Sequence, residues 1–489
     1  MASEGKAQFG SELVIGLVAA IGTDLHSVEN AISDQLRAFR YQVKPLRLSE
    51  LAEREARALG VEIKDTPESE RIRTHMDAGD KLRERHSDDW LAIRAIAEIS
   101  RSRGRRPAPR GKMAYILRSL KHPKEVERLR RVYGAGFFLI SLYATESERL
   151  GYLTKTMQCS EESAQVLIRR DLEEEDNPHG QRTRSTFALG DVFVHSGSEL
   201  FEQKLRDFLS LAFGHPFITP EPDEYAMFLA FAASLRSAQL GRQVGAVVVS
   251  VNGDVVGTGC NDVPRGGGGL YWPGSGDRRD HVQQFDSNDR RRDEMVNDVF
   301  DKLRYAKLLK RGTDAGRVRE ALERSILHEI TEYGRAVHAE MEALLSCTRN
   351  GVSPRGGTLY TTTFPCHNCA KHIIASGVSR VVYIEPYPKS KTMELHSDAI
   401  AIEEWDTEDR VVFAPFIGIG PRRFVELFSL EPGPGRRIER KKNGAIVKWE
   451  SAKAQLRAPM QLLDYLELEL AAATLASNRP RRRGGGKKA

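Results

Sequence analysis

His338, Cys366 and Cys369 carry an imidazole and two thiols, the donor types that hold zinc. They fall in two short stretches, Val337-His338-Ala339-Glu340 and Pro365-Cys366-His367-Asn368-Cys369. Cysteines three apart on the first turn of a helix can turn both sulfurs to one ion, and the positive end of that helix stabilises their thiolates. Zinc held by three ligands keeps a position for water and lowers its pKa towards about 7. Glu340, two residues beyond His338, is placed to take a proton from water and hand it on without binding the metal. The pattern is therefore that of a hydrolytic centre. A structural zinc clip would need a fourth protein ligand, with His367 or Cys347 as candidates, and it leaves Glu340 and Pro365 without a role.

The elements around these residues read as a layered α/β unit. A helix is expected from Pro222 to Ser237, with proline at an apt first-turn position. Strands at 244–251 and 254–259 are joined by Asn252-Gly253, a strong hairpin turn signal. A long polar insertion, 266–335, opens with four glycines and separates the hairpin from His338. A helix carrying His338 and Glu340 follows, then a strand at 358–363, a helix carrying the cysteines and a strand at 380–385. Hairpin, helix, strand, helix, strand is the order of a three-layer α/β/α sheet.

Ahead of this unit the pattern is again α/β. Residues 12–18 form an apolar run that suits a buried strand. Gly22, Thr23 and Asp24 follow, and then Leu25, Val28, Ile32, Leu36 and Phe39 at helical spacing. A second strand is expected at 41–48, charged helix over 51–103, strands at 113–117 and 136–143, and helix at 123–132. Prolines cluster at 214–222, the best linker. The expected divisions are a flexible 1–10, an α/β domain at 11–215, a zinc domain at 216–430, a helical extension at 431–477 and a basic disordered tail at 478–489.

Bulk properties exclude several classes. The 489 residues are 40% hydrophobic, yet no apolar run approaches the roughly 20 residues that span a bilayer, so no membrane partner is expected. Five cysteines in so long a chain, two of them in one motif, fit a reducing cytoplasm better than a disulfide framework. The net charge is +6, and the tail residues Arg479, Arg481, Arg482, Arg483, Lys487 and Lys488 supply six positive charges. The body is thus balanced and only 7% aromatic, unlike a basic groove with stacking aromatics for a nucleic-acid strand.

His-x-Glu followed by Pro-Cys-x-x-Cys is the pattern of zinc-dependent nucleobase deaminases. Residues 222–430 resemble the cytidine and deoxycytidylate deaminase superfamily, on the deoxycytidylate branch. Ser237, Arg242, Val244-Gly245-Ala246-Val247 and Thr258-Gly259-Cys260-Asn261 match that branch, and Pro264 and Gly266 continue its Asn-x-x-Pro-x-Gly pattern. The resemblance implies Zn2+ on His338, Cys366 and Cys369, with Glu340 as the proton carrier. It implies that Asn261 meets the sugar, and that Arg242, with Arg265 as a second candidate, reaches phosphate. Some relatives carry a second zinc, for which Cys260 and His328 are candidates.

The whole chain looks like the bacterial anti-phage dCTP deaminases, in which a degenerate P-loop domain precedes the deaminase. Glu385-Pro386-Tyr387-Pro388-Lys389-Ser390 belongs to that likeness, and Tyr387 and Lys389 are expected to close over the nucleotide. A working P-loop is Gly-x-x-x-x-Gly-Lys-Ser/Thr. Here Gly16 to Thr23 keeps the first glycine and the final threonine, but Ile21 replaces the second glycine and Gly22 the lysine. Without the lysine, efficient ATP hydrolysis is not expected. Ile116 to Pro123, with Glu125 and Arg130, matches a nucleotide-kinase segment, which points to a domain regulated by a nucleotide or RNA. The implied activity converts dCTP or dCMP to dUTP or dUMP and ammonia, depleting dCTP as defence. A housekeeping dCMP deaminase and a polynucleotide cytosine deaminase are the alternatives. A homo-oligomer, hexameric by analogy, is implied as well.

Overall fold

The computed structural model describes residues 12–477 apart from 105–108, 175–176, 178, 311, 324, 326–332, 387–389, 403–408, 432, 434 and 461. The chain divides into two compact units, Met1–Glu224 with Ile417–Ala489, and Tyr225–Phe416. Among the described residues no helix is long and apolar enough to cross a membrane.

The first unit is built on the strands β1 (Leu13–Ala19), β2 (Gln42–Arg47), β3 (Met113–Arg118), β4 (Phe137–Tyr143) and β5 (Val192–His195). They run parallel in the order β5-β4-β1-β3-β2, which puts the first strand in the middle. β1 is buried along its whole length because both faces are covered, which explains why it reads as a continuous apolar run. Leu13, Ile15 and Leu17 point to one face, where Val28, Ile32 and Leu36 of the helix Leu25–Ala38 pack. Val14 and Val18 point to the other, against Leu51, Trp90, Ile93 and Leu129. The alternation is that of any strand.

Two expectations are corrected here. The first is the domain boundary at 430. The apolar patch 411–419 divides between the units: Val411–Pro415 is a strand of the second sheet, whereas β12 (Gly418–Ile419) pairs antiparallel with β5 of the first. The chain beyond it stays with the first unit, and the terminal helix Leu462–Ser477 buries Tyr465 and Ala472 in the first unit's core. The second is Gly16, expected to open a phosphate loop. It lies inside β1, and a Cβ there would fall 2.4 Å from Leu120 Cδ1 and 3.0 Å from the Phe137 ring. Gly16 is a packing glycine, and the loop after β1 is only 20–24.

Charged helices meet around Asp80, where Arg83 lies 2.9 Å and Arg170 3.5 Å away. Burial nevertheless pushes the Asp80 carboxyl up to about 6, with Glu174 adding to the shift and the two arginines opposing it. The folded state therefore holds this proton more tightly than the unfolded chain, whose carboxyl sits near 3.8. The stabilising contribution is complete below about pH 4 and lost as pH rises through about 6. Urea titrations from pH 4 to 7 should show that fall, on the order of 1–3 kcal/mol, and Asp80→Asn should flatten it. An unchanged slope in the variant would assign the pH dependence elsewhere.

In the second unit β6 (Gly245–Val249) and β7 (Val255–Cys260) form the expected hairpin, with Gly253 at φ +88° in its turn. Next come β8 (Thr358–Thr363), β9 (Arg380–Glu385), β10 (Ile400–Ile402) and β11 (Val411–Pro415), in the sheet order β10-β11-β9-β8-β6-β7. β8 to β11 are parallel, and β6 runs antiparallel to both its neighbours. The insertion carries helices Asp280–Gln283, Ser287–Tyr305 and Ala315–Glu323.

Gly257 and Gly259 of β7 let the helix Ala339–Arg349 lie directly on the sheet. Added Cβ atoms would come within 2.4 Å of Ala343 O and 2.3 Å of Ala339 O. Backbone cannot yield as a side chain does, so Gly259→Val should lift the start of this helix, which carries Glu340. We expect a cost of about 1–3 kcal/mol or more and loss of bound zinc, read by thermal unfolding and metal content. Full zinc content in a folded variant would count against this role.

Candidate active site

The site forms where two helices begin, beside the carboxyl ends of β7 and β8. His338 is the N-cap of helix Ala339–Arg349, and Cys366 is the N-cap of helix His367–Ser376. Cys369 is on the first turn of the second helix, fully buried. His338 Nδ1 lies 3.3 Å from Cys369 Sγ and 3.4 Å from Cys366 Sγ. All three donor atoms fall within 4.8 Å of one another. Among the described residues no other His, Cys, Asp or Glu joins this group, so the fourth ligand of a closed structural clip is not seen. Cys347 is instead packed behind β7, its Sγ 2.5 Å from where a Cβ on Gly257 would stand.

The electrostatics suit a cation. A hydrogen bond from Cys369, with another from His338, holds the Cys366 thiol down at about 3. Sharing that hydrogen bond raises Cys369, and burial adds to it. The hydrogen bond to Cys366 raises His338, against burial and the nearby Arg242 charge. One nitrogen and two sulfurs converging at helix starts are a donor set for zinc with an open position.

Glu340 is 4% exposed, and its Oε2 lies 3.4 Å from Cys369 Sγ. Burial raises its carboxyl above the ordinary range, offset in part by His338. A carboxyl held this way binds a proton more readily than an exposed one and can pass it on.

The remaining expected residues are placed unevenly. Asn261 follows β7, and its amide is anchored to the backbone: Oδ1 accepts from Val244 N at 2.7 Å, and Nδ2 donates to Arg242 O at 2.8 Å. An amide has further donor and acceptor capacity, so it can still meet a hydroxyl. Arg242 is exposed and pairs with Glu385 at 3.1 Å, at the end of β9. Arg265 is exposed in a turn that its own N–H closes on Gly269 O. Tyr387, Lys389 and His328 lie outside the described residues. Cys260 is buried, and burial pushes its thiol up to about 11.

In the first unit Gly22 adopts φ +85°, and Thr23 Oγ1 turns back to Ala20 O at 2.9 Å. Thr23 is thus engaged by its own loop. Asp24 caps the following helix through Ser27 N and His26 N.

Asp262 was not legible as a site residue. Val337 N donates to its carbonyl at 3.0 Å, closing the insertion one residue before His338. Its carboxylate is fixed by Val263 N, Ala238 N and buried Arg279. The only hint in the sequence was its place directly after Asn261.

Residues 220–385 match the model of the cytidine and deoxycytidylate deaminase zinc-binding region. The chain is 35% identical over 164 residues to the deoxycytidylate deaminase of Mycobacterium phage D29, covering 34% of this chain and 94% of that enzyme. It is 49% identical over 55 residues to the deoxycytidylate deaminase of Enterobacteria phage T2, covering 11% of this chain and only 29% of that enzyme. The crystal structure of dCMP deaminase from cyanophage S-TIM5 aligns at 20% identity and a TM-score of 0.23, covering 40% of this chain and 99% of that one. On this match and this geometry, the chain belongs to the cytidine and deoxycytidylate deaminase family, and His338, Cys366 and Cys369 are positioned to bind a metal.

Proposed function

We propose that this protein hydrolytically deaminates deoxycytidine nucleotides, releasing ammonia and the matching deoxyuridine nucleotide. The observation that carries the reading is Glu340, a buried carboxyl directly beside the three-donor cluster. Zinc, when bound, supplies the Lewis acidity that makes water nucleophilic at neutral pH. Glu340 does the proton work. It takes a proton as oxygen adds to C4 of the cytosine ring and gives one to the ring nitrogen. It then takes the remaining proton from the oxygen on C4 and delivers it to the amino group, so that the C4–N bond breaks and ammonia leaves. Asn261, braced against 242–244, orients the sugar, and Arg242 with Arg265 meets phosphate. Tyr387 and Lys389 complete the nucleotide contacts.

Three finer parts of the proposal rest on the likeness of the whole chain. The triphosphate dCTP is a substrate beside dCMP, its depletion serves anti-phage defence in the cytoplasm, and the first unit is a regulatory domain of kinase-like descent in an oligomeric enzyme. The five parallel strands with β1 central support the last of these. The second reading, a housekeeping dCMP deaminase, is favoured by the relatives, which are deoxycytidylate deaminases. A strand-acting deaminase is disfavoured by the balanced body charge.

One assay separates these. The zinc-loaded protein is incubated with dCMP, dCTP, CTP and a cytosine-containing oligonucleotide, and ammonia and uracil products are followed. Turnover of dCTP supports the defence reading, and turnover of dCMP alone supports the housekeeping one. Activity on the oligonucleotide alone would overturn both.

A further inference from the structure

The first unit holds a cavity of about 230 Å³ at the carboxyl ends of β1 and β3. Residues 19–23 and Ser119 form one side, and helices Leu48–Ala58 and Glu68–Arg85 form the other. In an open parallel sheet this is the edge where ligands bind. Arg71, His75, Arg83 and Lys121 line it, and no aspartate or glutamate does among the described residues. The opposite wall is apolar, from Leu48, Ala52, Ile72, Met76 and Leu91. Ser49 and Gln181 add hydrogen-bonding groups that can both donate and accept.

The loop after β1 is not where the anion goes. Its Ile21 N–H already donates to Asp171 Oδ2 at 3.0 Å. Lys121 Nζ is committed to Ala19 O, Asp171 Oδ1 and Thr183 Oγ1 at 2.9, 3.3 and 3.4 Å. Asp24 occupies the start of helix Leu25–Ala38. An internal carboxylate thus stands where a polyphosphate would lie along the loop.

Donors remain on the helix side. Arg83 donates Nε to His179 O, Nη1 to Glu125 and Nη2 to Asp80, which uses three of its five N–H groups. Arg71 binds Glu68 through Nε and Nη2, which leaves Nη1.

Gly79 points the same way. It sits inside an 18-residue helix, where glycine is disfavoured. The three atoms nearest to a Cβ there all belong to the Arg83 guanidinium, at 3.5 Å or more, so alanine would fit. The backbone does not require glycine at this position. A side chain longer than alanine there would reach over the Arg83 guanidinium on the cavity side.

We propose that this cavity binds a nucleoside monophosphate, with the phosphate on Arg71 and Arg83 and the base against the apolar wall. The volume lies below the roughly 300–1,000 Å³ of drug-sized pockets, which admits one small molecule and excludes a nucleic-acid strand. The filled loop excludes a triphosphate. This site is separate from the zinc centre and does not depend on the deaminase reading.

The test is calorimetric titration of the full zinc-loaded chain with AMP, GMP, CMP and UMP, and with ATP and inorganic phosphate. We expect saturable binding of at least one monophosphate at one site, with ATP weaker. Gly79→Leu, which fills the cavity and favours the helix, should weaken it at least tenfold (about the loss of one strong contact), and so should Arg71→Gln. Gly79→Ala should bind as the parent does. Absence of monophosphate binding would overturn the proposal. So would tighter binding of ATP, or binding that survives Gly79→Leu and therefore belongs to the second unit.

Discussion

Glu340→Gln is expected to keep its zinc and lose its turnover. The carboxyl is not one of the three converging donors, and glutamine preserves its size beside Cys369. Removing a positioned acid-base group costs about 10²–10⁴-fold, and here one group serves several proton transfers, so the upper end is expected in kcat. Stability should hold or rise, because a buried carboxyl is costly and a neutral amide less so. His338→Ala is the contrast: it removes a ligand, and both metal and activity should go. Metal content, melting temperature and ammonia release together separate the two. If Glu340→Gln lost zinc, Glu340 would be a ligand. If it turned over normally, the proton carrier would be another residue.

The site was legible because its geometry is local. His338 and Glu340, and Cys366 and Cys369, lie two and three residues apart, and each pair opens a helix whose start fixes its directions. Such spacings survive any uncertainty about the surrounding fold. Asn261 was legible as a residue but not as an arrangement, since its partners at Arg242 and Val244 are set by how the chain enters β6. Asp262 and Arg279 were not legible at all, because the bridge to Val337 spans the whole insertion.

The first unit shows the same limit. β1, β3 and β4 read well because a parallel sheet covered on both faces demands continuous apolar runs, whereas β5 was not expected. Gly16 read wrongly because a glycine needed under Leu120 and Phe137 looks, in sequence, like one needed for a turn. The boundary at 430 read wrongly because strands Val411–Pro415 and Gly418–Ile419 are separated by only two residues, Phe416 and Ile417, and nothing in hydrophobicity marks a change of sheet.

Arg103→Met should be the most damaging single change to the fold of the first unit. Arg103, Glu12 and Glu469 are each buried to within 1% of full burial at the side chain. Arg103 donates Nη2 to Glu12 Oε2 at 2.6 Å and Nε to Glu12 Oε1 at 3.2 Å, and it also binds Glu469. Tyr465 donates to Glu12 Oε2 at 2.8 Å. The cluster therefore ties the chain just before β1 and the end of helix Trp90–Ser102 to the terminal helix Leu462–Ser477. Burial lowers the Arg103 pKa, but the two carboxylates outweigh it and keep the guanidinium charged. Without the arginine, two buried carboxyls are left with no cation beside them, a loss of about 3–5 kcal/mol. Because an entirely apolar replacement of such a triad is often neutral, Arg103→Met combined with Glu12→Met and Glu469→Leu should recover most of that loss. Denaturant unfolding measures both, and hydrogen exchange over 462–477 reports whether the terminal helix loosens first. A loss below about 1 kcal/mol in the single variant would mean that water reaches the carboxylates and the cluster is not sealed. Failure of the triple variant to recover would instead assign the cluster a role in specifying where the terminal helix docks rather than in stability.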